Sequence, residues 1–353
     1  MTTLFEIRQR AGIGRKSWDD LAATSDEAWL WHLADYVDAM LTWPRFRDAS
    51  FGVLDETGRL LATVPLYFCT RRLYGVVSHR YLYSQGGPAL ASHLSLELRR
   101  CVLDTLRAQW GSLMSNLGAE RIEVRMSPLA PGLRHGAEAS TGLLAAAGFE
   151  DAQTQTWMVD LNRTPEAIRA GYFDGTRYEL RKASRMPYTL REGKGGRDIE
   201  TYYALHCETY ARTGAEVHPI DYFRMIFERF VSKGMARILF FERDGRAIAA
   251  QNTAIYKGGA YYWTGASSNR KGGGENRVLA DDQIMYAKER GCTVYETGEA
   301  FIHATDAKER GLSDFKRSFG AELAPYPTGR LLSPAIRFRA MRAARDLLQT
   351  SRK

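Results

Sequence analysis

Asp314-Phe315-Lys316-Arg317-Ser318-Phe319-Gly320 closes a run of elements whose order decides the fold. Working back from it, residues 293–297 read as a buried strand, 277–290 as a helix, 269–276 (Asn-Arg-Lys-Gly-Gly-Gly-Glu-Asn) as a glycine-rich loop, and 260–265 (Ala-Tyr-Tyr-Trp-Thr-Gly) as a strand. Strand, amide-rich loop, helix and strand make a unit in which the N–H groups at a helix N-terminus can hold an anion. A lysine then arrives from a later segment.

Farther out, the pattern occurs twice. A helix over residues 26–41 precedes a hairpin made of 50–55, a turn at Glu56-Thr57-Gly58 and an outgoing strand over 59–68. Helices over 199–212 and 220–233 precede a second hairpin made of 236–242, a turn at Arg243-Asp244-Gly245 and an outgoing strand over 246–256. Each hairpin has a hydrophobic strand, a Gly-Arg turn and a long return, and glycine suits the positive φ of a tight turn. Each repeat then gains a helix and a strand: 94–114 with 121–126, and 277–290 with 293–297. Periodicity alone does not choose among α+β layer arrangements with this order.

The 353 residues, 44% of them hydrophobic, suit two packed domains. No run of about 18 apolar residues exists, and the first 18 residues alternate charged with apolar, so a cytoplasmic protein is expected, with peripheral membrane contact left open. Cys69, Cys101, Cys207 and Cys292 are scattered without CxxC spacing, which argues against a disulfide framework or a zinc site, and no metal is expected. A net charge of +8 favours an anionic partner such as nucleic acid, CoA or a pyrophosphate-linked sugar, although no arginine-rich arm or RNP-like motif accompanies it.

The order of elements ending in Phe-Lys-x-x-Phe-Gly resembles the FemAB family of aminoacyl and peptidyl transferases, whose members carry two GNAT-like domains in tandem. The resemblance spreads over about residues 26–326 and is most specific between Arg177 and Gly320. It implies an α+β fold of two tandem GNAT-like domains with mixed central sheets flanked by helices. The expected division is 1–161 and 162–330, with Thr164-Pro165 offering an N-cap and first-turn proline at the boundary, and a helix over 331–353 returning to the first domain. The coiled-coil arm of the family's peptidoglycan-bridge members is missing, which puts a peptidoglycan acceptor in doubt. The resemblance also implies transfer of an aminoacyl group from aminoacyl-tRNA to an amine or similar nucleophile of a small or sugar-linked acceptor, with no tightly bound cofactor; the alternative donor is acyl-CoA.

Amide formation needs positioning, oxyanion stabilisation and loss of one proton, and no GxSxG elbow or Cys-His neighbour signals a covalent nucleophile. In the resemblance Lys316 neutralises a donor phosphate or the developing oxyanion, with Phe315 packed beside it; the bland alternative is an exposed lysine on a terminal strand. Phe319 and Gly320 look structural, a plug and a turn. The loop residues Arg270, Lys271, Gly272, Gly274 and Asn276 match a pyrophosphate-cradling Q/R-x-x-G-x-G/A loop except at Asn269, and otherwise form a flexible loop. Arg177 and Arg181 lie at helical spacing and share a face that could clamp one anion, or belong to a salt-bridged surface helix. Tyr262 faces opposite to Tyr261 and Trp263 on its strand and is a candidate for lining the cleft. Glu299 and His303 lie in a segment, 296–303, that follows a strand end, and are candidate general bases or simply bond backbone. Ser84-Gln85-Gly86-Gly87-Pro88 resembles the family's Gly-Gly-Pro loop or is a simple turn.

Overall fold

The computed structural model describes residues 5–73, 76–134, 137–269, 273–334 and 336. Its contacts divide the chain into two units, one of residues 1–37, 44–153 and 327–353, the other of 38–43 and 154–326. The boundary expected at 161/162 therefore lies at 153/154. The reason is strand pairing: Thr154–Asp160 is laddered on both sides by strands of the second unit.

The first unit holds two sheets. Glu6–Gln9, Phe51–Leu54, Leu60–Val64 and Ala89–Leu90 form a four-stranded antiparallel sheet. Phe46–Asp48, Tyr67–Leu73, Val76–Gln85, Arg121–Arg125, Thr328–Leu332 and Glu150–Asp151, in that spatial order, form a six-stranded mixed sheet. The outgoing strand expected over 59–68 is thus cut in two. Pro65 supplies no N–H to a ladder, and Ser50 Oγ occupies the corner by accepting from the Leu66 N–H at 2.9 Å and donating to its carbonyl at 3.2 Å.

Two helix expectations in this unit also change. Residues 26–41 give only a short 3₁₀ turn, Leu30–His32, and a helix, Ala34–Met40. Ala28, Trp29, Leu30 and Trp31 are buried on every side, and His32 Nδ1 accepts from the Trp29 N–H at 3.2 Å, leaving Nε2–H to donate to the Gly87 carbonyl at 3.0 Å. The Gly-Gly-Pro loop is in this way a pinned turn, with Ser84 Oγ also accepting from the Gly87 N–H at 3.0 Å. At the other end of the chain, residues 331 and 332 belong to the strand Thr328–Leu332, so the return to the first unit is made by a strand where a helix from 331 was expected; residues 337–353 of that expected helix lie outside the described residues.

The second unit is one seven-stranded sheet covered on both faces. In chain order its elements are β1 (Thr154–Asp160), α1 (Pro165–Ala170), α2 (Asp174–Ala183), β2 (Thr189–Glu192), α3 (Arg197–Thr213), α4 (Ile220–Met225), β3 (Ala236–Arg243), β4 (Arg246–Tyr256), β5 (Gly259–Ser267), α5 (Glu275–Glu289), β6 (Val294–Glu299), α6 (Ala307–Arg317) and β7 (Glu322–Tyr326). The strand order is β2-β3-β4-β5-β6-β1-β7, antiparallel throughout except for β5 and β6, which run parallel. Asp244 and Gly245, at φ 52° and 70°, make the two-residue β3–β4 turn, the pair of positive φ angles that a tight hairpin with right-handed twist requires. The helix expected over 220–233 continues past α4 as a π-helical stretch, Ile226–Val231. On one face of the sheet Trp157, Val159, Tyr172, Ile284, Tyr295 and Phe319 form a core with α5. Helix α6 was not anticipated: Asp306 caps it by accepting from the Glu309 N–H, and it carries Phe315 and Lys316 in its final turns.

Candidate active site

Strands β5 and β6 pair for only three residues, Gly259 with Val294, Ala260 with Tyr295 and Tyr261 with Glu296, and then part. Each strand carries one extra residue just past that point. On β5 the register against β4 passes from Tyr262–Thr253 to Thr264–Asn252, leaving Trp263 unmatched; on β6 the register against β1 passes from Glu296–Met158 to Gly298–Trp157, leaving Thr297 unmatched. A bulge bends and twists the strand that holds it. Two of them, one on each arm, open the sheet where the arms diverge. The corresponding parallel pair of the first unit stays in register through Gln85 and Arg125, the last residues of its strands, and the helix between those strands is capped by Ser95 Oγ.

The β5 arm leads to the N-terminus of α5. Gly273 and Gly274 have φ of 84° and 89°, and Gly274 caps the helix without any side-chain acceptor. A side chain at Gly274 would meet the Glu179 carbonyl oxygen at 3.1 Å, so α2 packs against a backbone that only glycine permits. The first amides of α5 thereby carry the positive end of the helix dipole with no side-chain cap. Arg270, Lys271 and Gly272 lie outside the described residues, while Asn276 is half-buried in the first turn of α5.

The β6 arm receives Lys316. Its Nζ donates to the Glu299 carbonyl at 3.0 Å and stands 5.0 Å from the Phe301 ring centroid. Gly298, at φ 108°, makes room for it: a Cβ there would lie 3.1 Å from Nζ and 3.3 Å from Cε. The lysine is half-buried in the last turn of α6, not exposed on a terminal strand. Phe315 packs edge-on to Tyr262 (6.3 Å between centroids) and to Phe319 (5.3 Å), and Arg277 stands over its ring at 5.8 Å while its Nε donates to Thr176 Oγ1 at 3.3 Å. Thr176 in turn bonds Ser318 Oγ at 2.9 Å, which ties α2, α5 and the end of α6 into one assembly. Burial raises the Tyr262 phenol well above its ordinary value, with Tyr210 adding to the shift.

Of the residues singled out in the sequence, Tyr262, Phe315 and Lys316 come together here, with Glu299 contributing its backbone carbonyl. Arg177 does not join them. Its guanidinium donates to the carbonyls of Ala170 (2.6 Å) and Tyr172 and to Asp174, so its fork is consumed in holding the α1–α2 connection. Arg181 is exposed on α2, and His303 is exposed on the turn between β6 and α6. Arg277, Gly265, Gly298 and Glu296 were missed. Glu296 sits at the apex of the parting strands, 2% exposed, and accepts from Thr156 Oγ1 at 2.8 Å. A carboxylate at an inward-facing position of a buried strand was its one visible sign. A cavity of about 420 Å³ lies in the first unit between its first helix and the Gly58 hairpin, and it contains none of these residues.

A parallel pair that parts, with a helix N-terminus behind one arm, is the layout of the GNAT fold, and here Lys316 stands on the other arm. Residues 147–317 match the family model of the acetyltransferase (GNAT) domain, and the chain as a whole has the tandem fold of Fem/GNAT-type transferases. The crystal structure of FemX is similar to it with a TM-score of 0.68 at 14% identity, over 95% of this chain and 99% of that one. The C-terminal domain of a putative lysylphosphatidylglycerol synthetase from Agrobacterium fabrum is similar at 0.56 and 15% identity, over 94% and 95% of the two chains. A tandem GNAT protein from the clavulanic acid biosynthesis pathway is similar at 0.54 and 14% identity, over 93% and 98%. No curated protein matches the chain in sequence. Among the described residues no helix is long and apolar enough to cross a membrane.

Proposed function

We propose that the protein is an N-acyltransferase whose second unit carries the reaction, moving an aminoacyl group from aminoacyl-tRNA to an amine of a small or sugar-linked acceptor. The observation that carries this reading is Lys316 held on one arm of the parted β5–β6 pair, beside Phe315 and Tyr262. A donor carbonyl in the opening would develop its negative charge against a fixed ammonium, and that is where preorganised charge lowers a barrier most. The amine adds to the carbonyl carbon, the tetrahedral centre collapses, and no covalent enzyme intermediate is required. In this reading Arg277 and the uncapped start of α5 take the donor phosphate, an anion that suits a guanidinium and free helix amides.

The same helix start suits the pyrophosphate of an acyl-CoA, which keeps that donor as the second reading. Transfer of labelled amino acid in the presence of charged tRNA tests the choice. Under the tRNA reading, ribonuclease abolishes product and the rate falls steeply with salt, because several phosphate contacts release counterions. Ribonuclease-resistant transfer from acetyl-CoA alone would assign the acyl-CoA donor instead.

A further inference from the structure

We propose that residues 302–312 are a lid on the opening between β5 and β6, latched by Lys308 on the end of α3 and hinged at Gly311, and that this lid admits the amine acceptor. The proposal rests on the N-acyltransferase reading above. The opening is bridged on each face of the sheet. On the α5 face Phe315 leans on Tyr262. The opposite face belongs to α3: Phe240 and Phe241 alternate across β3, Phe241 packing with Leu279 of α5 and Phe240 standing edge-on to Tyr202 of α3, 6.4 Å between centroids.

The end of α3 is fixed to the β5 arm. The Ser267 N–H donates to Thr209 Oγ1 at 2.7 Å, and Arg212 donates to Ser267 Oγ at 3.1 Å and to Asn269 Oδ1 at 2.7 Å. The end of α6 is fixed to the β6 side, where Thr297 Oγ1 donates to the Lys316 carbonyl at 3.2 Å and Trp157 Nε1 donates to Ser313 Oγ at 3.0 Å. Lys308 Nζ, from the first turn of α6, donates to the Thr213 carbonyl, the last of α3. One ammonium thus joins the two arms past the point where their strands part. A cation on a helix C-terminus is favoured by the helix dipole, yet an exposed one holds weakly, as a latch released at each turnover must.

The segment that carries this ammonium has little else to hold it. None of the residues from Ile302 to Leu312 is buried, and Ser313 is the one buried residue of α6. Among the described residues, Lys308 alone of these side chains bonds outside the segment; Asp306 accepts from the Glu309 N–H, and Arg310 donates to the Thr305 carbonyl. Gly311 stands where the unpacked start of α6 meets its packed end. Its φ is not positive and a Cβ there would meet nothing within 4 Å, so neither backbone nor space calls for glycine. What glycine supplies inside a helix is a weak joint. A segment with few contacts, one latch and a weak joint is the part of a fold that opens first. Donor phosphate occupies the α5 face in the reading above, which leaves the face under the lid to the acceptor.

The test compares full-length wild type, Lys308→Met, Lys308→Arg and Gly311→Ala by hydrogen exchange at the amides of Arg310, Gly311 and Leu312, and by transfer of labelled amino acid from charged tRNA to a panel of primary amines that includes glucosamine. Both positions are exposed, so the substitutions leave the fold intact. Lys308→Met is expected to speed exchange about threefold and to raise KM for the amine about threefold, with KM for charged tRNA within about 1.5-fold of wild type. Lys308→Arg, which can still reach the Thr213 carbonyl, should restore both values. Gly311→Ala should slow exchange about fourfold, the gain in helix propensity of alanine over glycine. Unchanged exchange in Lys308→Met overturns the latch, and unchanged or faster exchange in Gly311→Ala overturns the hinge. Equal changes in KM for amine and tRNA overturn the assignment to the acceptor. A wild type that transfers to no amine from either charged tRNA or acetyl-CoA overturns the acyltransfer reading and the acceptor assignment with it, while the exchange rates still decide the lid.

Discussion

Replacing Lys316 by alanine removes one ammonium from the β6 arm, and the structure fixes what else goes with it. The interactions lost include a hydrogen bond to the Glu299 carbonyl at 3.0 Å and a cation–ring contact with Phe301 at 5.0 Å. A hydrogen bond from a charged donor contributes about 1.5–3 kcal/mol and an exposed cation–ring contact about 0.5–1 kcal/mol. Because the side chain is half-exposed, water replaces part of this, and the expected destabilisation is about 1–2 kcal/mol. In a unit of this size that lowers Tm by roughly 2–8 °C, without unfolding at 25 °C. Turnover is expected to fall much further, by about 10²–10³-fold, as when one donor to a developing oxyanion is removed. Lys316→Met keeps the aliphatic stem beside Gly298 and should recover most of the stability and none of the turnover; Lys316→Arg should recover little turnover, because the guanidinium fork does not fit the space above Gly298. The assay is kcat for labelled transfer alongside thermal melting of all three variants. Turnover of the alanine variant within threefold of wild type would refute the reasoning, and collapse of the fold would make Lys316 a structural residue.

Arg177→Ala should lose about 1–3 kcal/mol of stability by chemical denaturation, since the carbonyls of Ala170 and Tyr172 lose their donor, with kcat per folded molecule little changed. Gly320→Ala places a Cβ 2.7 Å from the Gly171 carbonyl oxygen at φ 68°, a backbone clash that no rotamer relieves, and is expected to lower Tm more than any of the lysine variants. Burial depresses the fully buried His206 imidazole to about 4, and its Nε2 accepts from the His218 N–H at 3.1 Å. The folded chain thus holds it neutral while the unfolded chain takes up a proton near pH 6.5, so its contribution is fully present above pH 6.5 and is lost as pH falls toward 4, by at most about 3 kcal/mol. Denaturant midpoints from pH 7 to 4 should show this slope in wild type and a shallower one in His206→Phe.

The local signals in the chain were sufficient for the stretch of the second unit from 236 to 299 because its elements are short-range. Asp244-Gly245 dictates a hairpin by itself, and strand, glycine loop, helix and strand succeed one another without interruption from 259 to 299. The tandem fold was legible for the same reason. What was not legible depends on partners far away in sequence. Trp263 and Thr297 are bulges only because of how β4 and β1 pair with their strands, and no property of either residue marks it. Arg177 and Arg181 look equivalent at helical spacing, yet the chain turn at 170–174 takes up one guanidinium and leaves the other in solvent. Gly265 and Gly298 read as ordinary strand glycines until Tyr262 and Lys316 are seen above them. In the first unit a single residue, Pro65, divides a strand that its hydrophobic pattern presents as continuous.

The most direct test of the account is a crystal structure of the protein with a non-hydrolysable aminoacyl-RNA fragment, its amino acid joined to the terminal ribose by an amide. The account predicts that the fragment's carbonyl oxygen lies in the opening between β5 and β6, within about 2.7–3.2 Å of Lys316 Nζ, with phosphate toward Arg277 and the start of α5. A fragment seated elsewhere on the second unit, or on the first unit, with Lys316 Nζ still donating to the Glu299 carbonyl and not to the fragment, would contradict it.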